Sequence, residues 1–224
     1  MWRRVWNVTS SRRDSDETRE GTDRALAYAR DHGIGYWIAR NALLKSFLDA
    51  RSAAASERDA NIAGIRRTLD EYRATGTALG ISWFLALLGR LYGDCGQPLL
   101  GISVLDDAIS HARETGEHYH EAEILALRGD LLSMSGGTPE VAEVPFRAGL
   151  DVARRQRAKG WELRVATGLA RLLRVQGRAG EARALLAPVY AWFTEGFDTQ
   201  DLRDARAELR ALGLARDGGG STDG

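Results

Sequence analysis

The sequence predicts an all-α fold: a right-handed α-solenoid of about four antiparallel helical hairpins, closed by a C-terminal capping helix. Three observations predict it. Small residues recur at Gly89, Gly129 and Ala170, 40 and 41 positions apart, a period that belongs to stacked helical units. Each sits in the same local pattern: Leu88-Gly89 and Tyr92, then Gly101, Leu105 and Ala108; Gly129 and Leu132, then Ala142, Phe146 and Gly149; Leu169-Ala170 and Leu173, then Ala182, Leu186 and Val189. Within a unit the apolar residues return at i, i+3, i+4 and i+7, as Phe84, Leu87, Leu88 and Leu91 do, which places them on one side of a helix.

Residues 1–22 are expected to form a disordered leader, because positions 10–22 carry no apolar side chain to repay the entropy of ordering. The helical-repeat domain then spans residues 23–213, and the glycine-rich stretch 214–224 is read as a disordered tail. A helix over 24–31 stops at Gly33. The first hairpin pairs a helix over 36–50 with one carrying Asn61, Ile65, Thr68 and Tyr72 on one stripe, across a long connection at 51–58.

The second hairpin turns at 93–98, with Pro98 in the first turn of a helix whose stripe is Ile102, Leu105, Ile109 and Ala112. The third pairs 119–134 with 140–157 across a turn at 135–139, Thr138 being the expected N-cap and Pro139 the first helical position. Pro145 predicts a kink or a late helix start, since an interior proline costs about 3 kcal/mol. The fourth pairs 161–176 with 181–194, where Pro188 should bend the second helix. A last helix over 199–212, N-capped by Asp198 and with Asp201 near its positive end, would cap the stack.

The spacing has a steric cause. Antiparallel helices approach closely only where side chains are small, so Gly89 with Gly101, Gly129 with Ala142 and Ala170 with Ala182 mark crossing points, 12, 13 and 12 residues apart. A small residue at the crossing and a bulky one a turn beyond is the logic of the tetratricopeptide repeat. The period exceeds the usual ~34, so each helix should be longer than in a standard repeat.

Charge and composition narrow the function. Thirty-one basic residues balance thirty-one acidic ones, so net charge draws the chain neither to nucleic acid nor to an anionic membrane. Only Lys45 and Lys159 among the basic residues are lysine; this arginine usage, with abundant Ala and Gly, suggests a bacterial gene. The single cysteine, Cys95, precludes an internal disulfide and suits a reducing cytoplasm. No apolar run approaches the ~20 residues that span a bilayer.

Nothing in the chain reads as a phosphate loop, a dinucleotide fingerprint, a zinc-protease helix or a nucleophile elbow. No cofactor, metal or catalytic residue is expected, and an enzyme is not. His118 and His120 lie two apart and so point in different directions, unlike a metal-binding i, i+4 pair; they read as exposed turn residues. The cluster 154–159 lies where cations offset a helix dipole. Trp37, Tyr119 and Trp161 sit nine or ten residues before Ser46, Gly129 and Ala170, and Trp83 six before Gly89. These aromatics either line a concave groove formed by the first helices or pack hairpin on hairpin. With Arg164 and Arg171 they make up the candidate partner-binding groove.

From about residue 24 to 212 the chain resembles the C-terminal tetratricopeptide-like region of bacterial multidomain proteins that carry a class III adenylate or guanylate cyclase domain and a predicted ATPase domain. The carriers are the stretches 71–80, 84–88, 153–164 and above all 185–202, LLAPVYAWFTEGFDTQDL. The resemblance implies a regulatory, partner-binding array in bacterial signalling, a detached tail whose catalysis would lie in other domains. The helix over 24–33 resembles the second helix of a repeat without its first.

The expected function is therefore a non-catalytic scaffold, cytoplasmic, that binds a protein or peptide in its concave groove, with a cyclase or ATPase module in trans as a candidate partner. An uncovered first hairpin would suit a homodimer. A small-molecule effector-sensing helical module is the alternative.

Overall fold

The computed structural model describes residues 12–53 and 57–213. Among these there is no strand: the chain runs α1 (Arg12–Asp31), α2 (Gly35–Ser52), α3 (Arg58–Ala74), α4 (Ile81–Asp94), α5 (Pro98–Thr115), a 3-10 turn (His118–His120), α6 (Glu121–Met134), α7 (Pro139–Arg155), α8 (Lys159–Val175), α9 (Ala179–Ala191) and α10 (Gln200–Ala211). Helices α2 and α3, α4 and α5, α6 and α7, and α8 and α9 pack as hairpins. Each second helix also leans on the first helix of the next unit, and α2, α4, α6, α8 and α10 touch one another in that order. Two layers of helices result, a tetratricopeptide-like α-solenoid of four hairpins with α10 as its C-terminal cap.

The repeated small residues sit where the sequence requires closeness. A Cβ built on Gly89 would lie 2.8 Å from the Leu105 side chain, and one on Gly101 would lie 2.6 Å from the carbonyl oxygen of Gly89. At Gly129 the neighbour is Phe146, 2.5 Å from such a Cβ. Ala170 and Leu186, the same pair in the fourth unit, are wholly buried. The core follows the stack: one apolar cluster joins α2 to α6, a second joins α6 to α10, and Leu125 packs against both.

The expected leader is corrected for residues 12–22, which belong to the twenty-residue helix α1; residues 1–11 lie outside the described residues, as do 54–56 and the expected tail at 214–224. Local polarity is overridden by contacts with α2. The Arg19 guanidinium donates to Asp49, to the Leu48 carbonyl (2.7 Å) and to Ser52 (3.0 Å), Asp23 pairs with Lys45 at 2.8 Å, and Thr22, Leu26 and Ala29 are buried. Helix α1 stands to α2 as α5 stands to α6, the place of a second helix.

Pro145 does not delay α7, which starts at Pro139 and runs through it to Arg155. Burial of Phe146 and Leu150 beside it offsets the missing hydrogen bond. Helix α9 likewise runs through Pro188. Thr138 and Pro139 open α7 at the expected positions and Thr199, not Asp198, stands at the N-cap position of α10, but neither threonine side chain makes a capping hydrogen bond. The connection between α2 and α3 is shorter than 51–58, since α2 persists to Ser52.

Two long-range hydrogen bonds replace local caps. The Glu117 carboxylate, in the connection after α5, accepts from Gly80 N (2.5 Å) and Ser82 Oγ (2.6 Å) at the start of α4. Negative charge there is favoured by the unsatisfied N–H groups of the helix end. Tyr72 donates its hydroxyl to the Leu79 carbonyl at 2.6 Å, and burial pushes its phenol pKa well above the ordinary value.

Candidate binding groove

On an α-helix consecutive residues are turned by about 100°. If Gly89, Gly129 and Ala170 face the partner helix of their hairpin, the next residue of each must face sideways along the layer of first helices. Those residues are Arg90, Asp130 and Arg171, and all three line one groove. It spans α4, α6, α8 and α10, encloses about 220 Å³, and also takes in Glu123, Arg164, Asp201 and Asp204. Its floor is apolar: Ala126, Leu127 and the edge of Phe146. Phe146 reaches that depth because Gly168 as well as Gly129 leaves it room, a Cβ on Gly168 lying 2.6 Å from the ring.

The charges divide into a closed set and an open one. Arg164 donates to both oxygens of Asp201 at 2.8 and 2.9 Å and to Glu123 at 3.2 Å, joining α6, α8 and α10. Burial lowers its pKa, but hydrogen bonding and attraction from Asp201 and Glu123 outweigh this and raise it overall. Arg171 approaches Glu208 at 3.7 Å, a carboxylate held more closely by Arg174 at 2.6 Å. Asp204 accepts from Gln200 Nε2 at 2.7 Å. Among the described residues Asp130 has no ion pair within 4.0 Å; crowding by protein atoms pushes its pKa up to about 6, against the pull of Arg90 and Arg171. It is nevertheless open to water, the condition of a side chain in a concavity.

Of the residues singled out in the sequence, Arg164 and Arg171 line this groove. Trp161 lies behind it, with the Arg164 guanidinium 4.8 Å above its ring. Trp83 joins the same structure indirectly: the His120 ring stands 5.9 Å from Trp83 and 6.0 Å from Trp161, an aromatic ladder across α4, the 3-10 turn and α8. Trp37, at the start of α2 with Arg40 over its ring at 5.3 Å, is outside the groove lining, as is the exposed Tyr119. His118 is exposed as expected, but His120 is not: its side chain is 12% accessible and its Nδ1 is 3.6 Å from Glu123. Two of the four cations in the basic cluster, Arg154 and Lys159, pair with the buried Glu162 at 3.2 and 2.6 Å, while Arg155 and Arg157 are exposed.

Among the described residues no group of three or more His, Cys, Asp or Glu could hold a metal ion, and no helix is long and apolar enough to cross a membrane. Sequence reasoning gives Arg90, Asp130 and Asp204 no role, since they look like ordinary solvated helix positions, and reads Asp201 only as a charge near the positive end of the last helix. The register itself was the available signal, since three of the lining charges follow the small crossing residues directly.

No protein-family model matches the chain. Over 170 residues it is 29% identical to cellulose synthase operon protein C of Xanthomonas axonopodis pv. citri (strain 306), covering 74% of this chain and 10% of that protein; the chain thus spans about a tenth of that relative's length. Its fold is similar to the crystal structure of BtubC (BKLC) from P. vanneervenii, with a TM-score of 0.65 over 89% of this chain and 85% of the other, at 15% identity. That likeness concerns the fold alone, and it agrees with the helical-repeat architecture built up above.

Proposed function

We propose that the chain is a non-catalytic scaffold whose first helices hold a segment of another protein in the groove between α4, α6, α8 and α10. The observation that carries this reading is the groove itself: a concave, water-open channel on the face that solenoids use for partners, with charged walls incompletely neutralised from within. Its volume of about 220 Å³ is below the ~300–1,000 Å³ of typical small-molecule pockets. It therefore suits a side chain or an extended segment better than an enclosed effector.

The resemblance over 185–202 supports a place in bacterial signalling, in the cytoplasm, with a cyclase or ATPase module supplied in trans as the partner. The first hairpin is covered by α1, so self-association, if it accompanies this role, would use another face. Site-specific photo-crosslinking tests the reading. A crosslinker at Ala126, in the groove, should capture the partner, and one at Asp151, on the exposed side of α7, should not. Capture from the α7 position alone would overturn the assignment.

A further inference from the structure

Within the proposed partner groove, the wall charges define the chemistry of the bound residue. Four carboxylates (Glu123, Asp130, Asp201, Asp204) face three guanidinium groups (Arg90, Arg164, Arg171), and Arg164 is consumed by two of the carboxylates. Arg171 is drawn toward Glu208 outside the lining. Arg90 and Asp204 remain on the walls, so the lining carries one more negative than positive charge, and Arg90 and Arg171 act on Asp130 without forming an ion pair with it. An incoming anion would meet Asp130 and Asp204 beside Arg90, whereas a cation would meet the Asp130 carboxylate, which has no ion pair among the described residues. Beneath the charges lie Ala126, Leu127 and Phe146, an apolar floor on which the methylene stem of a long basic side chain can rest while its head stays among polar groups.

We propose that this groove receives an arginine or lysine side chain of an extended partner segment, seated over Phe146 with its charge on Asp130. The inference rests on the scaffold reading of the groove and adds the identity of the residue it reads. A cation there favours the charged form of Asp130, so binding releases a proton below about pH 6 and weakens with acidification. Arg90, Glu123, Arg164, Arg171, Asp201 and Asp204 also face the site.

The test is selection from a randomised nonapeptide display library on the full chain, followed by titration of synthetic versions of the enriched peptides. Enriched sequences should share one Arg or Lys, its replacement by Gln should weaken binding about tenfold, the loss of one charge-assisted hydrogen bond, and Asp130→Asn should cost a similar factor while Asp151→Asn costs none. Affinity for the wild type should fall between pH 7.5 and 5, and the Asp130→Asn protein should show a flatter profile. Circular dichroism verifies that the variants fold. Peptides sharing an acidic residue, or basic peptides indifferent to Asp130→Asn, would overturn the inference and leave the scaffold reading standing. Arginine amide binding as tightly as the peptides would overturn a peptide source. Absence of any enriched peptide would count against both the inference and the groove.

Discussion

The ring of Phe146 lies against the main chain of Gly129 so closely that a Cβ at position 129 would sit 2.5 Å from its Cε2 atom. Gly129→Ala should therefore destabilise the protein by about 2–3 kcal/mol through overpacking. The fourth unit supplies its own remedy, since Ala170 is there paired with Leu186. In urea titrations the double variant Gly129→Ala/Phe146→Leu should recover most of the loss, and strictly additive effects would show that the two sites do not share this contact.

Arg157 has φ 53°, at the place between units where Gly76 and Gly116 adopt φ 79° and 74°. A side chain in this left-handed region costs about 1 kcal/mol, which glycine avoids. Arg157→Gly should accordingly raise the melting midpoint despite the greater freedom of the unfolded chain. A lower midpoint would mean that the Arg157 side chain contributes more than its backbone costs.

Glu117 secures the start of α4 from a distance of 37 residues in sequence. Removing its carboxylate in Glu117→Ala leaves the Gly80 N–H and the Ser82 hydroxyl without their acceptor, an expected loss of about 1–2 kcal/mol. Glu117→Gln, which keeps an acceptor oxygen, should lose less. Hydrogen exchange in the first turn of α4 reports the effect directly.

The Arg164 cluster predicts where the stack opens first. Arg164→Ala strips Asp201 and Glu123 of their shared cation, at about 2 kcal/mol for a partly exposed pair. Exchange protection should fall in α10 before it falls in α4 or α5. Uniform loss across the chain would argue that α10 is held by its apolar face alone.

Asp130 sets a pH dependence of stability. Its folded pKa, about 6, lies above the unfolded value, so the folded state binds the proton more tightly. The resulting stabilisation is complete below the unfolded carboxylate range near pH 4 and is lost as pH rises through about 6. Because the group is open to water, its magnitude should stay near 1 kcal/mol. Urea midpoints of the wild type minus those of Asp130→Asn should fall across pH 4–7; a flat difference would place the Asp130 pKa at its ordinary value.

Sterics made the repeat legible. Gly89, Gly129 and Ala170 announce helix crossings because only small residues fit them, and Ile65, Tyr72, Leu105 and Leu169 are buried as their spacing requires, whereas Asn61 and Thr68 on the expected α3 stripe are half-buried and Ile62 and Leu69 take the core places. What escaped the sequence depends on tertiary neighbours. Residues 12–22 have no apolar face of their own and become helical through Arg19 and Asp23 on α2. His120 reads as a turn residue until Trp83 and Trp161, 37 and 41 positions away, close over it. Asp130 carries no local sign that its neighbours will surround it without neutralising it.

Phe146 serves two surfaces at once, wedged between Gly129 on α6 and Gly168 on α8 while its edge forms the groove floor. A change in this one side chain would thus reach both places together: a smaller ring deepens the groove and at the same time loosens the joint between the third and fourth hairpins.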